Sequence, residues 1–113
     1  MVRQVTKSRR RLKQVEAWLR LEFPVHRPVK VRLERIVKSG KDQDLGQCYE
    51  NDNGWMIRVH KGQPLSGQIE TLQHEWSHLR TRCIGHADSG GVEFWRIIRR
   101  WHDEDGQKDS RAL

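Results

Sequence analysis

Two histidines with a glutamate directly after the first are the residues of this chain best suited to chemistry. They lie in the segment His74-Glu75-Trp76-Ser77-His78, an HExxH pattern. On an α-helix, residues four apart project from one face, so both imidazoles could bind one zinc ion. The carboxylate of Glu75 could then take a proton from a water molecule whose pKa the metal lowers to about 7. The pattern predicts metal-assisted hydrolysis, with His74 and His78 as ligands and Glu75 as general base.

The flanking residues predict a helix with one buried side and one open side. At about 100° per residue, six apolar residues fall within roughly 80° of one another: Leu65, Ile69, Leu72, Trp76, Leu79 and Cys83. His74 and His78 lie opposite this stripe, where a solvent-facing surface would more often carry lysine, arginine or glutamate. We therefore expect both histidines to face a cleft, although two ordinary surface histidines would show the same spacing.

A third metal ligand has to come from further along the chain, because catalytic zinc usually takes three protein ligands and leaves its fourth position to water. Four side chains could serve: His86, Asp88, Glu93 and His102. His86 is the first choice, since the glycine-flanked loop 84–91 could fold back toward the helix. The interval of eight residues between His78 and His86 disfavours the metzincin pattern, which needs six. We expect one zinc ion per chain.

Three segments of the chain resemble the SprT-like domain family, which includes bacterial SprT and the Spartan type of protease that acts on proteins attached to DNA. The segments are Ile57-Arg58-Val59-His60, Glu70-Thr71-Leu72-Gln73-His74-Glu75-Trp76-Ser77-His78 and Gly91-Val92-Glu93-Phe94-Trp95. The resemblance implies a zincin-like α+β fold, with an N-terminal helix, a small antiparallel sheet, an HExxH helix and a C-terminal helix. It also implies a zinc metallopeptidase that acts on protein or peptide substrates, with proteins associated with DNA as the candidates.

The chain departs from this family at the third ligand. The family places a histidine where Gly90 stands here, and glycine has no side chain that could bind a metal. Three interpretations follow: His86 or Asp88 takes over, the site binds metal weakly with extra waters, or the domain has lost catalysis. The last of these is our second hypothesis, a nucleic-acid-binding or adaptor module with a degenerate metal site.

Basic residues are concentrated in the N-terminal segment, about residues 1–13, of a chain whose net charge is +7. Before the first acidic residue stand Arg3, Lys7, Arg9, Arg10, Arg11 and Lys13. Such a segment is typical of contacts with phosphate, in which released counterions supply an affinity that falls steeply with salt. It predicts a nucleic-acid partner held by Lys7, Arg9, Arg10, Arg11 and Lys13, with a solvated helix end as the alternative. In a eukaryote the same cluster would pass for a nuclear localisation signal.

Composition fits a single domain over residues 1–113, since 35% hydrophobic residues and five tryptophans can form one core. No apolar run approaches the roughly 18 residues of a membrane span. The first residues lack the apolar region of a signal peptide, so we expect an intracellular, cytoplasmic protein. Cys48 and Cys83 form no CxxC pair, which predicts two free thiols. The locally acidic segment 104–113 is expected to be a disordered tail.

Periodicity predicts the remaining helices. A first helix over residues 6–23, ended by Pro24, would place Leu12, Val15, Leu19 and either Trp18 or Leu21 inside. Ser66 is the candidate N-cap of the HExxH helix. A final amphipathic helix would bury one stripe of apolar residues: Phe94, Ile97, Ile98 and Trp101.

Alternation and turn residues predict the strands. Apolar and charged residues alternate over 28–37, while 45–50 and 55–60 flank Asn51-Asp52-Asn53-Gly54 as a hairpin. We expect these three strands to be antiparallel. The stretch 55–61, just before the metal helix, is expected to be an edge strand that pairs with the extended backbone of a substrate.

Aromatic and histidine residues outside the motif have simpler interpretations. Core packing is expected for Trp18, Trp76, Trp95 and Trp101, whereas Trp55 is the better surface candidate. Tyr49 or His60 could stabilise a developing oxyanion. His26 and His102 are expected to be surface or capping residues, and a position near a helix end would suit His102.

Overall fold

The computed structural model describes residues 2–38, 44–84 and 91–112, with side chains over 9–38, 44–81 and 91–104. Its elements follow in the order α1 (Val2–Glu22), β1 (Val29–Glu34), β2 (Gly46–Asn51), β3 (Gly54–His60), α2 (Leu65–Ile84) and α3 (Gly91–Ala112). The α+β class is confirmed as a small domain of three helices and a three-stranded mixed sheet. Among the described residues, no helix has the length and apolar character needed to cross a membrane.

The sheet has the strand order β1-β3-β2. β2 and β3 form the predicted antiparallel hairpin, in which Asn51 lies opposite Gly54. β1, however, runs parallel to β3, with Val29 opposite Trp55. The expectation of an entirely antiparallel sheet is therefore wrong. β1 pairs with β3 on the edge that β2 leaves open, so β1 and β2 are the two outer strands.

This order makes β3 the central strand. Its backbone pairs with β1 on one side and with β2 on the other. The expectation that 55–61 is an edge strand for substrate is therefore wrong, since neither side of β3 is open. The outer strand nearest to α2 is β2, whose first residue, Gly46, lies against Thr71 and Glu75.

The hairpin turn depends on Gly54. Its φ of 142° lies in a region that residues with a side chain rarely adopt. A Cβ atom there would also collide with the carbonyl of Pro28. That carbonyl accepts a hydrogen bond from the amide of Trp55 at 2.8 Å. Gly54 therefore lets the segment before β1 come close to the start of β3.

The core lies between one face of the sheet and the helices, with residues from α1, α2 and, at Ile97, α3. Its buried residues are Leu12, Val15, Leu19, Phe23, Val29, Trp55, Ile57, Val59, Leu72, Trp76, Leu79 and Ile97. The inward stripe predicted for α1 is thus present, and Trp18 packs against this core. Of the stripe predicted for α2, Leu72, Trp76 and Leu79 are in the core and Ile69 packs against it, whereas the side chain of Cys83 lies outside the described ones. Leu21, the alternative to Trp18, is 78% exposed.

Two of the five tryptophans are not where the sequence placed them. Trp55 was the surface candidate but is 7% exposed, because its register opposite Val29 turns its ring toward the helices. Trp95 was expected in the core but is 69% exposed. It follows Phe94 by about 100° around α3, which is enough to leave the face that packs on α2.

Helix ends differ from the sequence expectations in three places. α1 begins at Val2 rather than at residue 6. α2 begins at Leu65, so Ser66 is its second residue rather than its N-cap. The first turn is closed instead by the amide of Gln68, which donates to the carbonyl of Pro64 at 2.9 Å. α3 continues to Ala112, through most of the segment 104–113 that was expected to be disordered. One anchor of this end is the hydrogen bond from the indole of Trp18 to the carboxylate of Glu104.

Candidate metal centre

The helix α2 brings the two motif histidines together. The ring centroids of His74 and His78 are 4.6 Å apart, and their planes meet at 72°. His74 is exposed and His78 is half-buried. Phe94 of α3 stands edge-on to His74, with centroids 5.0 Å apart. Two imidazoles therefore lie side by side on the open side of α2, with an aromatic ring beside the first.

Glu75 lies beneath the start of β2 and is only 9% exposed. A Cβ atom at Gly46 would be 3.1 Å from Glu75 Cγ and 3.3 Å from Glu75 Oε1, and closer still to Thr71 Cγ2. Only glycine fits at this close approach between β2 and α2. The absence of a side chain at position 46 thus leaves the space that the carboxylate of Glu75 occupies.

A cleft of about 550 Å³ opens beside His74 and Glu75. Its lining residues come from the start of β2, the first half of α2 and the start of α3: Asp44, Leu45, Gly46, Gln63, Gly67, Glu70, Thr71, His74, Glu75 and Phe94. A space of this size is typical of ligand sites in proteins. A cleft is therefore present beside His74, whereas His78 is not among the residues that line it. The outer strand β2 forms one of its walls.

The candidates for a third ligand fall into two groups. His86 and Asp88, like Gly90, lie outside the described residues. Glu93 is described, 6% exposed, and its carboxylate is bound by Arg80 at 3.4 Å and by Arg96 at 3.1 Å. This ion pair joins α2 to α3 and occupies the carboxylate that a metal would need.

The last candidate, His102, is exposed on α3, in mid-helix rather than near a helix end as expected. It lines a separate groove with Ile69 and Trp101. Among the side chains described over 9–38, 44–81 and 91–104, no three of histidine, cysteine, aspartate or glutamate stand close enough to hold a metal ion. The described part of the chain thus offers two zinc-type ligands and an adjoining carboxylate, which fit part of a zinc site.

The two residues considered for oxyanion stabilisation are not among those that line the cleft. His60 Nδ1 accepts a hydrogen bond from the amide of Ile36 at 3.0 Å, which fixes the chain after β1. Tyr49 is 45% exposed on β2. His26 is exposed, as expected.

The basic residues of α1 point in two directions. Arg9, Arg10 and Lys13 are exposed and border a shallow groove of about 520 Å³. The guanidinium carbon of Arg11 instead lies 5.1 Å from the ring centre of Trp101. Lys7 belongs to α1, but its side chain lies outside the described ones. The described basic face is therefore smaller than the sequence cluster.

Sequence inspection missed four residues that shape this region: Gly46, Thr71, Gln73 and Phe94. The position of Gln73, about 100° from Leu72 on the helical wheel, could have shown that it faces the next helix. No comparable signal marks Gly46, because its approach to Glu75 depends on how β2 packs against α2.

The described site thus combines paired imidazoles, a carboxylate held under an outer strand and an open cleft. In comparisons with protein-family models, curated proteins and solved structures, nothing matches this chain. Its function is therefore inferred from the chemistry of this site.

Proposed function

We propose that this protein is a zinc-dependent metallopeptidase with a zincin-like domain of the SprT-like type. One observation carries the proposal. The rings of His74 and His78 lie 4.6 Å apart on α2, beside the cleft that Glu75 lines. An ordinary solvent-facing helix has no need for two histidines, a half-enclosed carboxylate and a cleft at one place. The resemblance in sequence supports the same assignment.

Each residue has a distinct role in this proposal. His74 and His78 hold the metal, and His86 or Asp88 supplies the third ligand. When bound, zinc lowers the pKa of water and polarises the carbonyl under attack. Glu75 takes a proton from the attacking water and passes it to the leaving amine. Gly46 and Thr71 keep the carboxylate of Glu75 in place by their close packing.

The outer strand β2 favours a peptide as substrate. It borders the cleft at Gly46 and pairs on one side with β3. An extended peptide could add to its other side through main-chain hydrogen bonds, as in other β-strand additions. β2 therefore takes the role that the sequence had given to 55–61. Proteins associated with DNA are the candidate substrates, recruited by the basic residues of α1.

The test combines metal analysis with hydrolysis of an unfolded protein. We expect one zinc ion per chain and measurable cleavage by the unaltered protein. Glu75→Gln keeps the shape of the side chain but cannot accept the proton, so it should retain zinc and lose hydrolysis by about 10²-fold or more. His78→Ala should lose both. His26→Ala, which removes an exposed histidine that is not among the residues lining the cleft, is the matched control and should change neither.

The third ligand is tested in the same measurements. His86→Ala should lower the zinc content if His86 is the ligand, whereas retention of zinc would transfer the role to Asp88. Cleavage that survives in Glu75→Gln would contradict the hydrolase. A chain that takes up no zinc even when zinc is supplied would favour the alternative, a nucleic-acid-binding or adaptor module.

A further inference from the structure

The imidazole of His74 lies between two other rings. His74 is exposed, so solvent by itself would let its side chain turn between rotamers. The ring of His78, one turn further along α2, is centred 4.6 Å away, and that of Phe94 on α3 is centred 5.0 Å away. Among the residues that the structure describes, the imidazole makes no hydrogen bond, because the hydroxyl of Ser77 donates to the backbone carbonyl of His74. The two aromatic contacts are therefore what orients this ring.

Phe94, unlike His74, is held in place by the residues around it. Directly before it, the buried carboxylate of Glu93 binds Arg80 of α2 at 3.4 Å. Three residues after it, Ile97 is fully buried in the core. Phe94 itself is half-buried in the first turn of α3. The packing of α3 on α2 thus brings the phenyl ring to His74 and keeps it there.

We propose that Phe94 is a positioning residue of the candidate metal centre, which holds the imidazole of His74 in the orientation that binds zinc. The inference rests on the proposed function, since it takes His74 as a metal ligand. Histidine ligands are commonly oriented by a carboxylate or carbonyl that bonds to their second ring nitrogen. The planes of His74 and Phe94 meet at 78°, the T-shaped arrangement that aromatic pairs prefer. A phenyl ring in this place competes for neither nitrogen, because it has no hydrogen-bonding atom of its own.

A fixed orientation raises affinity because the site binds zinc only while both imidazoles face the ion. The apparent dissociation constant equals the intrinsic one divided by the fraction of molecules in the competent orientation. An exposed histidine on a helix has about two common χ1 rotamers, and its ring turns about χ2 in roughly two ways. Without the phenyl ring, about one arrangement of His74 in four would face the metal. Loss of the ring should therefore weaken zinc binding by about 3- to 4-fold.

The first experiment measures zinc affinity by competition with a chelator that absorbs light. Phe94→Leu keeps an apolar side chain and removes the ring, so the apparent dissociation constant should rise by about 3- to 4-fold. Phe94→Tyr keeps the ring and should bind zinc as the unaltered protein does. Trp95→Leu is the matched control, because it removes the neighbouring ring, which is 69% exposed, and should leave the affinity unchanged.

The second experiment needs no metal. In nuclear magnetic resonance spectra of the metal-free protein, the ring current of Phe94 should shift the imidazole protons of His74, and the two rings should show mutual Overhauser effects. Both signatures should disappear in Phe94→Leu, in which the side-chain couplings of His74 should average over several rotamers. Phe94→Tyr should retain both. Denaturant unfolding of the same variants separates a general loss of stability from a change at His74.

Equal zinc affinity in Phe94→Leu and the unaltered protein would overturn the proposal. A single His74 rotamer in metal-free Phe94→Leu would do the same, as would an equal loss of affinity in Trp95→Leu. If Phe94→Leu does not fold, the metal-free spectra of the unaltered protein decide, because a His74 ring that averages over rotamers beside Phe94 contradicts the proposal.

These outcomes are distinct from failure of the peptidase. Zinc binding and cleavage that do not depend on the ring of Phe94 would remove this inference and leave the peptidase standing. A chain that takes up no zinc would remove the peptidase and this inference together.

Discussion

At the scale of single residues, the lack of a side chain at Gly46 allows β2 to pack closely against Thr71 and Glu75. The position faces Thr71 Cγ2 and the side chain of Glu75 at once, and neither can move far. Thr71 is branched at Cβ and therefore stiff, while Glu75 is only 9% exposed. One methyl group at position 46 must displace one of these neighbours, so stability and the position of the carboxylate are coupled there.

Gly46→Ala is accordingly expected to lower the free energy of unfolding by about 1–3 kcal/mol, as overpacking does in tight sites. It should also reduce hydrolysis, because Glu75 is pushed from its place. Thr71→Ser removes the Cγ2 methyl group that the new side chain at position 46 would meet. The double variant should therefore regain much of the lost stability and much of the lost hydrolysis. Denaturant unfolding and the cleavage assay measure the two effects.

The control is Gly67→Ala on α2, where the added methyl group would meet chiefly the far end of the long Gln63 side chain. It exchanges a helical glycine for alanine and should be neutral or stabilising by up to about 1 kcal/mol. Equal destabilisation by the two substitutions would contradict a special constraint at Gly46.

The parts of the candidate site that the sequence predicts are those set by local geometry. His74 and His78 share a face because four residues nearly complete a helical turn, whatever the rest of the chain does. The packing of Gly46 on Glu75, and of Phe94 on His74, joins residues from different elements. No local spacing encodes such contacts, so only the assembled fold reveals them.

At the scale of the elements, Trp76 links α2 to the end of α1. Its ring is fully buried, and its Nε1 atom donates to the carbonyl of Phe23 at 2.7 Å. This carbonyl follows the last turn of α1, where backbone acceptors lack helical partners. One side chain thus fills the core and satisfies the end of a neighbouring helix.

Trp76→Phe should therefore lower the free energy of unfolding by about 1–3 kcal/mol from the unpaired carbonyl alone. The smaller ring adds a further loss through the space it leaves. Trp95→Phe makes the same exchange at a ring that is 69% exposed and should change stability by less than about 0.5 kcal/mol. Urea unfolding of both variants measures the difference. Similar losses of stability in the two variants would show that the hydrogen bond from Trp76 to Phe23 does not stabilise the contact between α1 and α2.

The elements themselves were largely predictable, but their arrangement was not. The alternation in β1 and the Asn-Asp-Asn-Gly turn mark strands because side-chain direction and turn geometry are local properties. A strand shows the same alternation whether its neighbour runs parallel or antiparallel, so the direction of β1 could not be derived from it. The burial of Trp55 could not be predicted for the same reason. It depends on the pairing of Trp55 with Val29 rather than on the turn beside it.

At the scale of the whole molecule, the net charge of +7 is spread over several surfaces. Arg9, Arg10 and Lys13 form an exposed group on α1. If this group binds nucleic acid, replacing all three by glutamine should weaken binding and reduce the salt slope by up to about 3, one for each lost phosphate contact. Affinity for an oligonucleotide at several salt concentrations measures both.

The matched control replaces three other exposed basic residues, Lys30, Arg32 and Arg35, in and directly after β1. It removes the same charge and should change affinity less. Equal losses from the two triple variants would mean that overall charge, and no particular face, attracts the nucleic acid.

The strand order has a consequence for how the chain folds. β2 and β3 are joined by a two-residue turn and can pair early, whereas residues 35–53, which include all of β2, separate β1 from β3 along the chain. Closing that longer loop costs more entropy before any contact repays it. We therefore expect the hairpin to form first and β1 to complete the sheet afterwards. The strand that borders the candidate active site would then belong to the earliest structure that the chain forms.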